Sequence, residues 1–168
     1  MKYESINHQF IDCFPEFTDS YNYFFADNEV TENEFQYIFY EGLVIHIVDI
    51  LFMMKEHPIR NLLLERLFIF IEDMMTASDE RVCTLAYIAF FEYRDSYWFS
   101  KLEKYMSANL IAILLTQFPG WSHNNPDVSE REIKYTFSDL YGIRGDLLKI
   151  FRDDGFRLSD IPLITSYE

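Results

Sequence analysis

The sequence predicts an all-α protein, a single-domain helical bundle or short α-solenoid of six to eight helices, and three observations support this class. Apolar residues recur at helical spacing, and no alternating run is long enough to require a sheet. Only 5 glycines and 5 prolines occur in 168 residues, which leaves little room for a turn-rich sandwich or barrel. Hydrophobic residues make up 49% of the chain, so a chain of this length can bury its own core.

Residues 1–56 are predicted to form the N-terminal helices. The first helix covers 4–13, with Ile6, Phe10 and Cys13 on its inner side. Pro15 suits the first turn of a second helix over 15–25, which ends at a break over 26–28. The inward residues of this second helix are Phe17, Tyr21, Phe24 and Phe25.

The third helix is predicted to begin at a capping box, with Thr31 as N-cap and Glu34 at N3. It runs to about Lys55, with an interruption near Gly42. The apolar face consists of Leu43, Val44, Ile47, Ile50, Leu51 and Met54. The opposite side carries a solvated polar stripe of Glu41, His46 and Asp49. The stretch 35–54 has the length of a membrane span, but these polar residues would be costly in a bilayer, so we expect a buried amphipathic helix and no membrane association.

Residues 58–118 are predicted to form central helical hairpins. Pro58 begins a helix whose inward residues are Leu63, Leu64, Leu67, Phe70, Ile71, Met74 and Met75. Ser78 is expected to cap the next helix, whose narrow inner stripe is Val82, Leu85, Ala86, Ala89 and Tyr93. A further helix begins near Ser96, bends near Ser107 and ends at Pro119. Its inward residues are Trp98, Leu102, Tyr105, Leu110, Ile113, Leu114 and Gln117.

The C-terminal part is predicted to contain a loop over 119–127 and helices within 128–168. Ser129 caps a helix to about Leu140, and a last helix over 145–154 stops at Gly155. Cys13 and Cys83 lie outside any CxxC motif and are predicted to be reduced and buried. The N-terminus has no basic segment followed by an apolar run, so we expect a cytosolic protein without a signal peptide.

The net negative charge is concentrated in the first third of the chain, because that part contains almost no bases. Residues 1–54 contain ten acids and one base, a net charge of −9, and the remaining residues contribute −5 of the total −14. This charge opposes nucleic-acid binding, which depends on Lys and Arg meeting phosphates, and favours a basic protein partner. Tyrosines among the acids could anchor such a partner, although the same acids could simply solvate the helices. The candidate partner-binding residues are Asp19, Tyr23, Asp27, Glu29, Glu32, Glu34, Tyr37 and Glu41.

Two resemblances add to this interpretation. The stretch 58–94 begins with proline and continues, after a short turn, with Asp79-Glu-Arg-Val-Cys-Thr-Leu-Ala-Tyr-Ile-Ala-Phe-Phe-Glu92, which resembles a helical hairpin of the HEAT type. This resemblance implies a short HEAT-like solenoid, with an irregular bundle as the alternative. In size, charge and helical style the whole chain is similar to immunity proteins of bacterial polymorphic-toxin and contact-dependent inhibition loci. That similarity implies a cytoplasmic inhibitor of a toxin and transfers no catalytic residues.

Catalytic and metal chemistry is weakly supported. Glu41, His46 and Asp49 are candidate metal ligands, but the chain has no Glu-x-x-His motif of the kind used in helical di-iron sites. The pairs Glu72-Asp73 and Asp79-Glu80 have no organised basic partners, and no P-loop, GxGxxG or GxSxG motif occurs. We therefore expect no enzyme, no cofactor and no metal. The two leading hypotheses are an acidic inhibitor of a basic, nuclease-like toxin domain and a small HEAT-like adaptor for a cellular protein.

Overall fold

The computed structural model describes residues 1–29, 31, 35–92, 96–117 and 142–162. Within these residues every regular element is helical, which confirms the all-α class. Eight helices occur there: α1 (Ile6–Cys13), α2 (Thr18–Asn28), α3 (Gln36–Met53), α4 (Pro58–Met75), α5 (Glu80–Tyr87), α6 (Ser96–Leu102), α7 (Ala108–Gln117) and α8 (Ile143–Ile150). Short 3₁₀ segments lie at Tyr3–Ser5, Pro15–Phe17, Glu103–Tyr105, Arg152–Asp154 and Leu158–Asp160.

Two helices contain wider, π-helical turns. In α3 the turn covers Tyr40–Val44, with Gly42 at its centre, so the predicted interruption near Gly42 is confirmed. Helix α5 continues into a second π-helical turn at Ile88–Glu92. Such turns are rare and disturb the regular register of a helix, so they change which side chains face the core.

Four predicted helix ends can be compared with the structure. The start expected at Thr31 is wrong, because α3 begins at Gln36 with Phe35 as its N-cap. The expected break over 26–28 is wrong, because α2 continues to Asn28, whose side-chain amide donates a hydrogen bond to the Phe24 carbonyl (2.8 Å). Asp79, not Ser78, is the N-cap of α5, since its carboxylate accepts the Arg81 backbone N–H (3.1 Å). The helix expected over 145–154 covers Ile143–Ile150 and is followed by the 3₁₀ segment Arg152–Asp154, which ends at Gly155 with a φ of 78°.

The buried hydrophobic residues of the described part form one core that extends from Ile6 to Ile161. The predicted inward faces of α2, α3 and α4 are buried throughout. Cys13 is an exception: it is the last residue of α1 and is exposed, and Cys83 is only half-buried. Both cysteines are free thiols, but the prediction that they are buried is wrong. In α7, Ile113 is half-buried and Gln117 is exposed.

The ends of the chain pack against each other. Helix α8 contacts α2 and the Pro15–Phe17 segment, and the buried carboxylate of Asp146 accepts hydrogen bonds from Ser20. A regular solenoid forms contacts only between neighbouring repeats. A contact between α2 and α8, which are more than a hundred residues apart, is the packing of a closed bundle. The stretch that resembles a HEAT-type hairpin corresponds to α4 and α5, which pack together, and the resemblance itself stays a prediction.

Helix α3 is the one described helix that is long and apolar enough to cross a membrane by length and composition. Within the fold, 61% of its residues are buried by neighbouring elements, the environment expected of a core helix. The predicted solvated stripe is wrong for Asp49, which is 0% exposed and accepts a hydrogen bond from the indole N–H of Trp98 (3.0 Å). His46 is half-buried, and only Glu41 of the three is exposed.

Some predicted features lie outside the described residues. These are the capping-box residue Glu34, the inner-stripe residue Tyr93, the loop over 119–127 and the helix from Ser129 to Leu140.

Candidate functional site: the acidic face of α2

Helix α2 has one buried and one exposed face. Ser20, Tyr21, Phe24 and Phe25 are buried. On the other side Asp19, Tyr23 and Asp27 follow one another at four-residue steps and all are exposed, Tyr23 to 56%. These three residues and Glu29, which is exposed just beyond the helix, form what we call the acidic face. The structure thus brings four of the predicted partner-binding residues onto one helix and its end.

Aromatic packing fixes the orientation of α2. The ring of Phe39 lies 5.6, 5.4 and 5.5 Å from the rings of Tyr21, Phe24 and Phe25, measured between centroids. A Cβ atom at Gly42 would lie 3.4 Å from the Phe24 ring, at the short end of ordinary van der Waals contact, so α3 passes close to α2 at this point. The neighbouring residue Glu41 is exposed, which places a further predicted site residue on the element that packs beside α2.

Helix α8 is joined to the first turn of α2 by hydrogen bonds and an ion pair. The carboxylate of Asp146, 1% exposed, accepts hydrogen bonds from the Ser20 backbone N–H (2.9 Å) and hydroxyl (2.7 Å). Lys149 donates to Asp146 (2.9 Å) and also pairs with Asp19. These hydrogen bonds, the one to Asp19 first, raise the pKa of the Lys149 ammonium. No local sequence pattern predicts these contacts, because Lys149 lies 130 residues from Asp19.

The fold neutralises some acids of the N-terminal third and leaves others uncompensated. Glu4 pairs with Arg81 at 2.8 Å and Glu16 with Arg66 at 2.5 Å, and Asp19 pairs with Lys149. By contrast, no salt bridge joins three other exposed acids to any cation of the described residues. These uncompensated acids are Asp27, Glu29 and Glu41. The negative potential of this region is therefore concentrated around the end of α2 and the adjacent turn of α3.

The position of two of these acids opposes folding. Asp27 lies in the last turn of α2 and Glu29 follows it as the C-cap, and this turn contains no basic residue. The carbonyl groups at a helix C-terminus carry partial negative charge, so acids there are unfavourable. Glu29 also adopts a left-handed backbone conformation with a φ of 52°, which is unfavourable for a residue with a side chain. Local rules broken without a compensating contact are typical of functional sites.

The remaining predicted residues are placed differently. Glu32 and Glu34 lie outside the described residues. Tyr37 is half-buried, with its ring centroid 6.5 Å from that of Tyr3, so only part of this side chain is available to a partner.

Two exposed apolar residues near the acidic face were missed by sequence reasoning. Phe35 is 49% exposed and Ile38 is 47% exposed, and Ile38 lies one helical turn before Glu41. The run from 35 to 40 contains only one polar residue, Gln36, which is itself buried. Helical periodicity therefore could not show which of these side chains face solvent.

The alternative metal site is not assembled. Glu41 points to solvent, whereas Asp49 is fully buried against Trp98, so the carboxylates do not meet. Across the described ranges, no three His, Cys, Asp or Glu side chains are grouped so as to hold a metal ion. The acidic face offers carboxylates and a phenol to solvent, which suits recognition of a cationic surface.

Comparison with known proteins found no matching family model, no similar curated protein and no similar solved structure.

Proposed function

We propose that this chain is an acidic binding protein that neutralises a cognate basic protein, as an immunity protein blocks a nuclease-like toxin domain in the bacterial cytoplasm. The observation that carries the proposal is the set of exposed acids, Asp27, Glu29 and Glu41, that form no salt bridge with a described cation, together with the exposed Tyr23. Two of these acids lie where they weaken the helix. A cationic partner supplies the compensation that no cation of the described residues provides.

The proposed mechanism is occlusion and requires no catalytic group. The acids attract a basic partner and raise its association rate, while Tyr23 supplies apolar contact area with few rotatable bonds. At the other end of the acidic face, Lys149 occupies Asp19. A lysine or arginine of the partner displaces Lys149 from Asp19, and Lys149 keeps its second contact, to Asp146. The cationic groove of a nuclease, which binds phosphates in its normal function, fits this surface.

The test is affinity capture from lysate of the native host with two variants of equal charge. The first variant reverses Asp27, Glu29 and Glu41 to Lys. The control reverses Glu92, Glu103 and Asp153, none of which forms a salt bridge with a described cation. Each reversal changes the charge by two, so both variants have a net charge of −8 instead of −14.

We expect wild type and control to retain one basic protein at low salt and to lose it at high salt, and the first variant to retain none. Equal capture by both variants would contradict the proposal, because Asp27, Glu29 and Glu41 would then contribute no more to binding than the three control acids. The captured protein should also lose its own activity in the purified complex, since occlusion is the proposed mechanism.

The adaptor hypothesis rests on the hairpin of α4 and α5, which pack side by side. It predicts capture of a non-basic protein that persists when the Debye length shrinks to about 3 Å at 1 M salt. It also predicts that reversal of Asp27, Glu29 and Glu41 leaves capture unchanged.

A further inference from the structure

Lys149 connects a buried carboxylate to an exposed one. Its ammonium donates to Oδ1 of Asp146 (2.9 Å), which is buried, and also pairs with Asp19, whose side chain is 72% exposed. The other oxygen of Asp146, Oδ2, accepts both the backbone N–H of Ser20 (2.9 Å) and its hydroxyl (2.7 Å). One lysine of α8 is therefore shared between the packing of α8 on α2 and the acidic face.

The two contacts of Lys149 differ in strength. A buried carboxylate that loses its counter-ion keeps its desolvation cost, so the contact with Asp146 is difficult to break. Lys149 also lies in the last turn of α8, where the partial negative charge of the carbonyl groups favours a cation. Asp19, in contrast, is hydrated when the lysine leaves, and ion pairs between exposed groups contribute little. The lysine is thus retained at Asp146 and exchangeable at Asp19.

We propose that Lys149 is an internal competitor of the basic partner, which occupies Asp19 in the free chain and lowers the affinity of the acidic face for cations. This inference rests on the proposed function and adds the regulation of its site. Asp146 holds the ammonium beside Asp19, at an effective concentration on the order of millimolar that does not fall when the protein is diluted. A cation of the partner reaches Asp19 only by displacing Lys149, whereas the three acids without a salt bridge bind it directly.

The competitor makes the acidic face selective for an extended basic surface. Asp19 and Asp27 lie eight residues apart on α2, which is about 12 Å along the helix axis at 1.5 Å per residue. A small cation bound at Asp27 does not reach Lys149 and gains nothing from Asp19. A partner that presents cations over this whole distance displaces Lys149 and gains both carboxylates.

Binding of a dye-labelled decalysine peptide by the full chain, measured by fluorescence anisotropy at low salt, tests the inference without the natural partner. The main variant combines Lys149→Met with Asp146→Asn. It removes the competitor and the buried charge together, keeps an amide oxygen for Ser20 and retains the net charge of −14. We expect its dissociation constant to be about two- to fivefold lower than that of wild type, which is the factor contributed by an exposed ion pair.

Two controls isolate the contact between Lys149 and Asp19. In an Asp19→Asn background the same double substitution should leave the dissociation constant unchanged, because the competitor then has no carboxylate to occupy. The single variants Lys149→Met and Lys104→Met have the same net charge of −15, and Lys104 pairs with the exposed Glu56 on a different segment. Lys149→Met should lower the dissociation constant further than Lys104→Met does. These single variants also serve as the test if the double variant does not fold.

The outcomes separate this inference from the proposed function. A gain in affinity of the same size with and without Asp19 would overturn the inference and leave the acidic face as the binding surface. An unchanged dissociation constant in both variants that lack Lys149 would do the same. If reversal of Asp27, Glu29 and Glu41 to Lys left peptide binding unchanged, or if wild type bound no peptide, the acidic face itself would be refuted and the inference with it.

Discussion

Reversing two charges on the same face of α2 should change stability in opposite directions. Asp19 lies in the first turn and Asp27 in the last turn. A charge at a helix end interacts with the helix dipole by typically 0.3–1 kcal/mol at an exposed position. Reversing the sign of the charge changes this interaction energy by twice its magnitude. Asp27→Lys should therefore raise the free energy of unfolding by about 1 kcal/mol. Asp19→Lys should lower it by about as much, and this variant also loses the ion pair with Lys149.

The comparison removes the effect of net charge, because both variants have a net charge of −12 instead of −14. A separation of about 2 kcal/mol corresponds to about 4–8 °C in Tm for a chain of this size. Thermal unfolding followed by circular dichroism at low ionic strength measures the separation, and repetition in 1 M salt should reduce it. Equal shifts of the same sign for both variants would refute the dipole argument. Both variants should nevertheless weaken capture of the basic partner, since both residues belong to the acidic face.

Two further predictions concern contacts away from the acidic face. Trp98→Phe removes the indole N–H that donates to the buried carboxylate of Asp49. The free energy of unfolding, measured in urea, should fall by about 2 kcal/mol. An unchanged urea midpoint would show that this hydrogen bond contributes nothing to stability. The hydrogen bond from Arg81, followed by that from the Tyr3 backbone N–H, lowers the pKa of Asp79 from 3.8 to about 2. A lowered carboxylate pKa gives stability that is present above the ordinary pKa and is lost as the pH falls through the folded one. The difference in free energy of unfolding between wild type and Asp79→Asn should therefore be constant above about pH 5 and should decrease between about pH 4 and pH 2. A difference that does not vary with pH would contradict the lowered pKa of Asp79.

Helical periodicity was sufficient to predict the buried faces of α2 and α4. The inward residues of α2 and α4 follow a simple three- and four-residue spacing, and all of them are buried. Gly42 and Gly155 were also informative, since one lies in a π-helical turn and the other adopts a positive φ. These features depend on residues close together in the chain, where sequence alone fixes the geometry.

Contacts between distant residues could not be predicted in the same way. Asp49 was expected in solvent, and its burial depends on Trp98, 49 residues further along the chain. Asp79 rather than Ser78 caps α5, and its carboxylate also accepts the backbone N–H of Tyr3 (3.1 Å) from the N-terminal segment. Nothing local distinguishes these outcomes from their alternatives.

The exposed side of the candidate site could be predicted, because it depends only on helical spacing within α2. The exposure of Asp19, Tyr23 and Asp27 follows from the burial of the opposite face of α2. Whether Asp27 forms a salt bridge depends on where the cations of other helices lie, and the sequence does not show their positions.

Carboxyl footprinting of the isolated complex tests the central claim most directly. A carbodiimide and an amine label exposed carboxylates, and mass spectrometry locates the labels. We expect labelling of Asp27, Glu29 and Glu41 to fall when the basic partner is bound, while labelling of Glu92 and Asp153 stays constant. Unchanged labelling of Asp27, Glu29 and Glu41 in a complex that retains its partner would show that these three acids do not lie in the binding surface.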